Sequence, residues 1–224
     1  MHSDDINTID SFQGDDNMIL TGGDDGFVFA TDIRAIDHPP VATFIGHNEG
    51  ITHLSTRIYD PNYFITNSKD QSIKMWDIRV SNEYHDIANP KTYPISGFDY
   101  RIHYYPKVQY KKRSPLDRSV LTMRGHSVLR TLIKCYFSPE FITGQKYVYT
   151  GSADGGYCVY DTLTGDLVSR RRNLDGSIMR DIIWHPTLPI LITPSFSGEI
   201  CLWEWRNIRN KDKIQNANAD IEDL

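Results

Sequence analysis

Apolar and polar positions alternate along this chain in short runs of four to seven residues, cut apart by turn residues such as Asp-Gly, Asp-Pro and His-Pro. The runs are rich in Ile, Val, Thr, Tyr and Phe, whose branched or aromatic side chains suit a pleated surface. Ile51–Arg57, Tyr63–Ser68 and Ser72–Ile78 therefore predict three consecutive strands of one small sheet. No stretch before the polar C-terminal tail repeats apolar residues at helical spacing with a cap at each end. Ser127–Phe137 comes nearest, and its Val, Thr, Ile, Tyr and Phe favour strand. The class expected is all-β.

The alternating runs also repeat. "GGDDGFVFATD", "NSKDQSIKMWD", "GSADGGYCVYD" and "PSFSGEICLWE" align without a gap, each a small-residue strand, a turn, and a second strand that closes on an aromatic residue or its stand-in and an acid. Six residues on from the turn position, Asp25 leads to Thr31, Asp70 to Trp76, Asp154 to Tyr160 and Ser197 to Trp203. Upstream, His2 and His47 each lie 29 residues before the closing position, and Gly125-His126 repeats Gly46-His47. In the fourth unit Leu174 stands where the histidine would be. The units run over about 2–45, 46–79 with an insertion at 80–119, 120–172 and 173–206. Residues 207–224 are polar, aromatic-free and expected to be a disordered tail.

Taken together, these motifs resemble the WD-repeat family, whose unit of roughly 40 to 45 residues builds one blade of a β-propeller. The resemblance implies a propeller with four blades present of a ring that in the family usually has seven. An incomplete ring is thus expected, with this chain the C-terminal portion of a longer one or a gene model missing its N-terminal half. It also implies a hydrogen-bonded relay inside each blade, made of a His, a Ser or Thr, the turn Asp and the Trp. In the second unit these are His47, Thr66 or Ser68 (Ser68 preferred), Asp70 and Trp76. Buried polar groups must all be satisfied, so the relay residues are scaffold and not acids or bases of a reaction.

The relay does not account for Arg79. In "SKDQSIKMWDIR" the period of two puts Asp77 and Arg79 on one side of the chain where the strand ends, at one rim of the blade. Trp-Asp-x-Arg is a pattern of WD-repeat receptors that dock on damage-specific DNA-binding protein 1, the adaptor of cullin-4 ubiquitin ligases. Asp32 and Arg34 keep the acid and the cation, and Arg206 follows Trp203-Glu204-Trp205; the third unit lacks the arginine. The resemblance implies that Asp77, Arg79, Asp32, Arg34 and Arg206 hold the adaptor, while another surface presents an unspecified protein substrate. The insertion's Asp99-Tyr100-Arg101 is distinctive beside general WD features. A generic WD-repeat interaction scaffold with no ubiquitin link is the alternative.

Composition narrows the remaining classes. The 224 residues are 39% hydrophobic and 24% charged with a net charge of -5, which argues against coating duplex DNA; the local basic runs Lys107–Arg113 and Arg170–Arg172 read as solvated loops. Cys135, Cys158 and Cys201 lie in apolar runs without metal-ligand spacing and read as reduced core residues. No nucleophile elbow, zinc-protease motif, dinucleotide fingerprint or calcium-loop spacing occurs, so no catalytic residue, metal or cofactor is expected. With neither a signal peptide nor an apolar run long enough for a membrane span, cytosol or nucleus is the expected location.

Overall fold

Strand alternation becomes sheet wherever neighbouring runs can bury their apolar sides. The computed structural model describes residues 2–12, 15–88, 98–106 and 113–205, and its strands form four antiparallel sheets in chain order. The first contains β1 (Ile6–Ser11), β2 (Met18–Gly23), β3 (Val28–Asp32) and β4 (Ala42–Phe44). The second contains β5 (Ile51–Thr56), β6 (Tyr63–Ser68), β7 (Ser72–Asp77) and β8 (Leu121–Arg124). β9 (Cys135–Phe137), β10 (Tyr147–Ser152), β11 (Gly156–Asp161) and β12 (Leu167–Arg172) make the third. The fourth has three strands, β13 (Ile183–Trp184), β14 (Ile190–Pro194) and β15 (Ile200–Glu204).

Each pair of neighbouring sheets shares a core. Leu20, Val28 and Phe44 of the first meet Leu54, Phe64 and Trp76 of the second. Ile65, Ile73 and Met123 meet Cys135, Val148 and Tyr160 between the second and third, and Tyr149, Tyr157 and Val159 meet Ile182, Trp184 and Leu191 between the third and fourth. Alternation then leaves apolar side chains on the far sides of the end sheets. Ile6, Ile9 and Ile36 are exposed at one end of the row and Ile183, Ile200 and Leu202 at the other. The four sheets are propeller blades in sequence, and they do not close into a ring.

Three sequence expectations need correction. Leu121–Arg124, assigned above to the third unit, pairs with β7 and completes the second blade, because the insertion interrupts that blade between its last two strands. Ser127–Phe137 is strand only from Cys135; Arg130, at φ +65°, turns the backbone out of the extended region first. The Arg170–Arg172 run lies on β12 instead of in a loop. The expected tail and Lys107–Lys112 lie outside the described residues.

Buried groups anchor the described parts of the insertion. Asn82 bridges to Thr43 of β4, accepts a hydrogen bond from Ile45 N and donates to Leu116 O. Lys74, buried in β7, donates to Asp117 at 2.7 Å and to Thr122 at 2.9 Å. Gly46 lets this strap lie close: a Cβ there would come within 2.5 Å of Asp117 Oδ1 and 3.0 Å of Trp76 Cη2.

Candidate docking site

The end of β3 and the end of β7 fold into the same small hook. Asp77 Oδ1 accepts from Arg79 N at 3.0 Å and Nε at 2.8 Å, and Oδ2 accepts from Nη2 at 2.6 Å. At the end of β3, Asp32 Oδ1 accepts from Arg34 N and Nε at 2.9 Å each, and Oδ2 from Nη2 at 2.6 Å. An aspartate two residues before an arginine thus closes a backbone turn and clamps the guanidinium fork at once. The bond from Arg34 lowers the Asp32 carboxyl to about 2, and Arg79 likewise lowers Asp77. Both arginines are pushed above their ordinary value by their aspartates.

Each guanidinium group is held by its own aspartate, yet the Arg34 and Arg79 side chains remain 64% and 60% exposed. Arg79 also lies 5.9 Å over the Tyr63 ring, which narrows its rotamers. The clamp uses Nε and one terminal nitrogen, so Nη1 takes no part in it. Arg206 lies outside the described residues. In the third blade Asp161 caps Leu163 N and Thr164 N, and the exposed Leu163 replaces a cation. Sequence reasoning singled out Asp99-Tyr100-Arg101 without recognising a third hook: Arg101 donates to Asp99 through N, Nε and Nη2 at 2.9 Å, on the insertion. The shared Asp-x-Arg spacing was the available signal.

Beneath the second hook runs the interior relay. His47 Nδ1 lies 2.9 Å from Asp70 Oδ2, His47 Nε2 2.7 Å from Thr66 Oγ1, and Trp76 Nε1 donates to Thr66 Oγ1 at 2.8 Å. One set of protons satisfies all three contacts. The imidazole gives its Nδ1 proton to the carboxylate, Thr66 gives its hydroxyl proton to Nε2, and the indole donates to the Thr66 oxygen. Burial opposes the Asp70 charge, but His47 and Ser72 hold its carboxyl well below the usual range. The hydroxyl in the relay is that of Thr66, which corrects the choice of Ser68. Trp76 pairs with Phe64, so its indole reaches diagonally to Thr66, whereas Ser68 sits opposite Ser72 at the turn and donates to Glu49 O.

The other blades rewire this relay. In the first, His2 Nδ1 meets Asp25 and Nε2 meets Thr21 Oγ1, each at 3.0 Å, with Thr31 in place of the indole. In the fourth, only Trp203 to Thr193 survives, at 2.9 Å. In the third, His126 turns to Tyr160 OH at 3.0 Å and, across the blade boundary, to Asn67 Oδ1 at 2.8 Å. Asp154, the aligned turn acid, pairs instead with Arg170 and Arg172 of β12. Burial lowers the His126 imidazole to about 4.

Against known families, the family model for the WD domain, G-beta repeat, matches residues 1–30 and 38–77, within the first two blades. The chain is a WD-repeat protein. This WD-repeat chain is 43% identical over 225 residues to the LEC14B protein of Lithospermum erythrorhizon, covering 99% of the chain and 46% of that relative. It is 39% identical over 208 residues to the DDB1- and CUL4-associated factor 11 homolog of Caenorhabditis elegans, covering 91% of the chain and 36% of that relative. The chain therefore spans less than half the length of these curated relatives. Among solved structures, the computationally designed Ika4 protein aligns with a TM-score of 0.58 at 19% identity, over 91% of this chain and 93% of that one, a likeness of fold alone.

Proposed function

We propose that this WD-repeat chain belongs to the substrate-recognition subunit of a cullin-4 ubiquitin ligase, and that it docks on the ligase's adaptor through the hooks at Asp32/Arg34 and Asp77/Arg79, with Arg206 as a further contact. Two pre-folded guanidinium groups, presented by neighbouring blades at the same end of their third strands, carry the reading. The name of its DDB1- and CUL4-associated relatives supports it. An arginine clamped in advance loses little rotamer entropy on binding, and its planar fork suits carboxylate or carbonyl partners. The chain supplies no nucleophile; it brings a protein substrate close to a ubiquitin-carrying enzyme, and proximity does the rest. Residence in cytosol or nucleus goes with that role.

The test is co-purification of the full-length chain with the DDB1-type adaptor and cullin-4. The parent is expected to capture both, and the Arg34→Ala, Arg79→Ala double variant to lose about tenfold or more in adaptor affinity. Equal capture by parent and variant, with both folded, would leave the general interaction scaffold as the better reading.

A further inference from the structure

The third hook lies on the opposite side of the blades from the first two. Arg34 and Arg79 follow the ends of β3 and β7, whereas Asp99–Arg101 borders a cavity of about 580 Å³ whose wall includes Asp24 and Lys69, in the turns that begin those strands. A five- to six-residue strand separates the two surfaces by about 17–20 Å. Described parts of the insertion lie on both. It leaves the hook end after Arg79, and its segment 98–106 lies on the far side.

That segment is fixed below and bare above. Phe98 packs edge-on against the buried Tyr105 with ring centroids 5.2 Å apart, Lys69 Nζ sits 4.3 Å from the Tyr100 ring centroid, and Arg130 N donates to Tyr100 O. Ile102 N and His103 N both donate to Asp99 O, closing a turn. On this base Ile102 is 76% exposed and Tyr104 79%, beside the Arg101 side chain at 70%. Exposed aliphatic, tyrosine and arginine side chains on a rigid support have the composition of an interface core.

The adjoining cavity supplies the charge. Its wall carries the exposed Asp4 and Asp5, while its two cations are already matched, Lys69 by Asp24 at 2.7 Å and Arg101 by Asp99 at 2.9 Å. Lys69, held between a carboxylate and a tyrosine ring, already places an ammonium group in this wall.

We propose that the Ile102–Tyr104 platform and this cavity together receive the protein substrate, through a segment that sets a lysine or arginine beside an apolar residue. The apolar residue covers Ile102 and Tyr104, and the cation enters the acidic cavity. Only the word substrate rests on the receptor reading; the surface is defined by its own chemistry.

Fluorescence polarisation on the full-length chain tests it with three labelled octapeptides: Gly-Ser-Leu-Lys-Leu-Lys-Ser-Gly, a twin with glutamate for both lysines, and a twin with serine for both leucines. The lysine peptide is expected to bind saturably and each twin about tenfold or more weakly. Ile102→Ser with Tyr104→Ser removes only exposed side chains, and is expected to weaken the lysine peptide about tenfold with an unchanged thermal melt. Asp4→Asn with Asp5→Asn is expected to weaken it and flatten its salt dependence. The proposal is overturned if the lysine peptide does not saturate, if the glutamate twin binds as well, or if the double platform variant binds like the parent. Arg79→Ala separates the two readings. Lost adaptor capture with peptide binding intact supports both surfaces, and peptide binding by a chain that never captures adaptor supports this surface while counting against the receptor.

Discussion

The second and third blades share a strand order, a turn and an aligned aspartate, yet their interiors are wired differently. In the second, Asp70 is wholly buried and completes a relay from His47 through Thr66 to Trp76. In the third, two arginines of the outer strand pair with Asp154 near the surface, and His126 finds neutral partners in Tyr160 and Asn67. The lesson concerns position and role. One aligned acid is an interior anchor in one blade and half of a surface ion pair in the next, because a neighbouring strand offers it cations.

The largest expected effect follows from that contrast. Asp70→Ala would leave His47, Ser72 and the Asn48 N–H without their buried acceptor, at a cost of about 3–5 kcal/mol. Asp154→Ala would break only part-exposed pairs and is expected to cost about 1 kcal/mol or less. Urea unfolding of the two variants measures the difference, and equal losses would break the comparison.

Acid should separate the blades next. His126 is held near pH 4 in the folded chain against an ordinary 6.5, so between those values the unfolded chain binds the extra proton. Stability is then full above about pH 6.5 and declines as pH falls toward 4, by about 2–3 kcal/mol from this group. His53, partly buried beside Lys134 and also held near 4, adds to the same window. Asp70 acts in the opposite range. Its carboxyl is lowered from 3.8, so its contribution is present above that value and is lost only as pH falls further, through the folded value. Thermal melts from pH 7 to 4 should therefore shift downward, and His126→Gln should flatten the shift without removing it.

Smaller effects sharpen the picture. Tyr160→Phe removes the oxygen that accepts the His126 N–H and is expected to cost about 1–2 kcal/mol, read as a lower melting temperature. Arg79→Ala, at an exposed hook, should stay within about 0.5 kcal/mol of the parent in the same measurement. A larger loss would mean that the hook holds the blade together and is not chiefly a contact for others.

Much of this was legible in the chain. The four aligned segments and the alternating runs follow from spacing, and the resemblance to WD-repeat proteins implied the His47–Asp70–Trp76 set. Spacing could not choose between Thr66 and Ser68, because residues two apart on a strand share a face; the choice depends on how far the Trp76 indole reaches diagonally. Nor could it show that β8 returns to the second blade, since the insertion separates partners adjacent in space. The capture of Asp154 by Arg170 and Arg172 crosses between sheet neighbours that the aligned unit leaves out. At the proposed docking residues the pattern located the arginines at the strand end, while the clamp by Asp32 and Asp77 came from turn geometry.

The strap pinned by Asn82 at its start and Asp117 at its finish has an evolutionary consequence. With both feet set in the blade wall, the span between them is free to drift in length, because closing a chain twice as long costs only about 0.6 kcal/mol more. Descendants of this gene could thus retool what the tip recognises while the grip beneath stays unaltered.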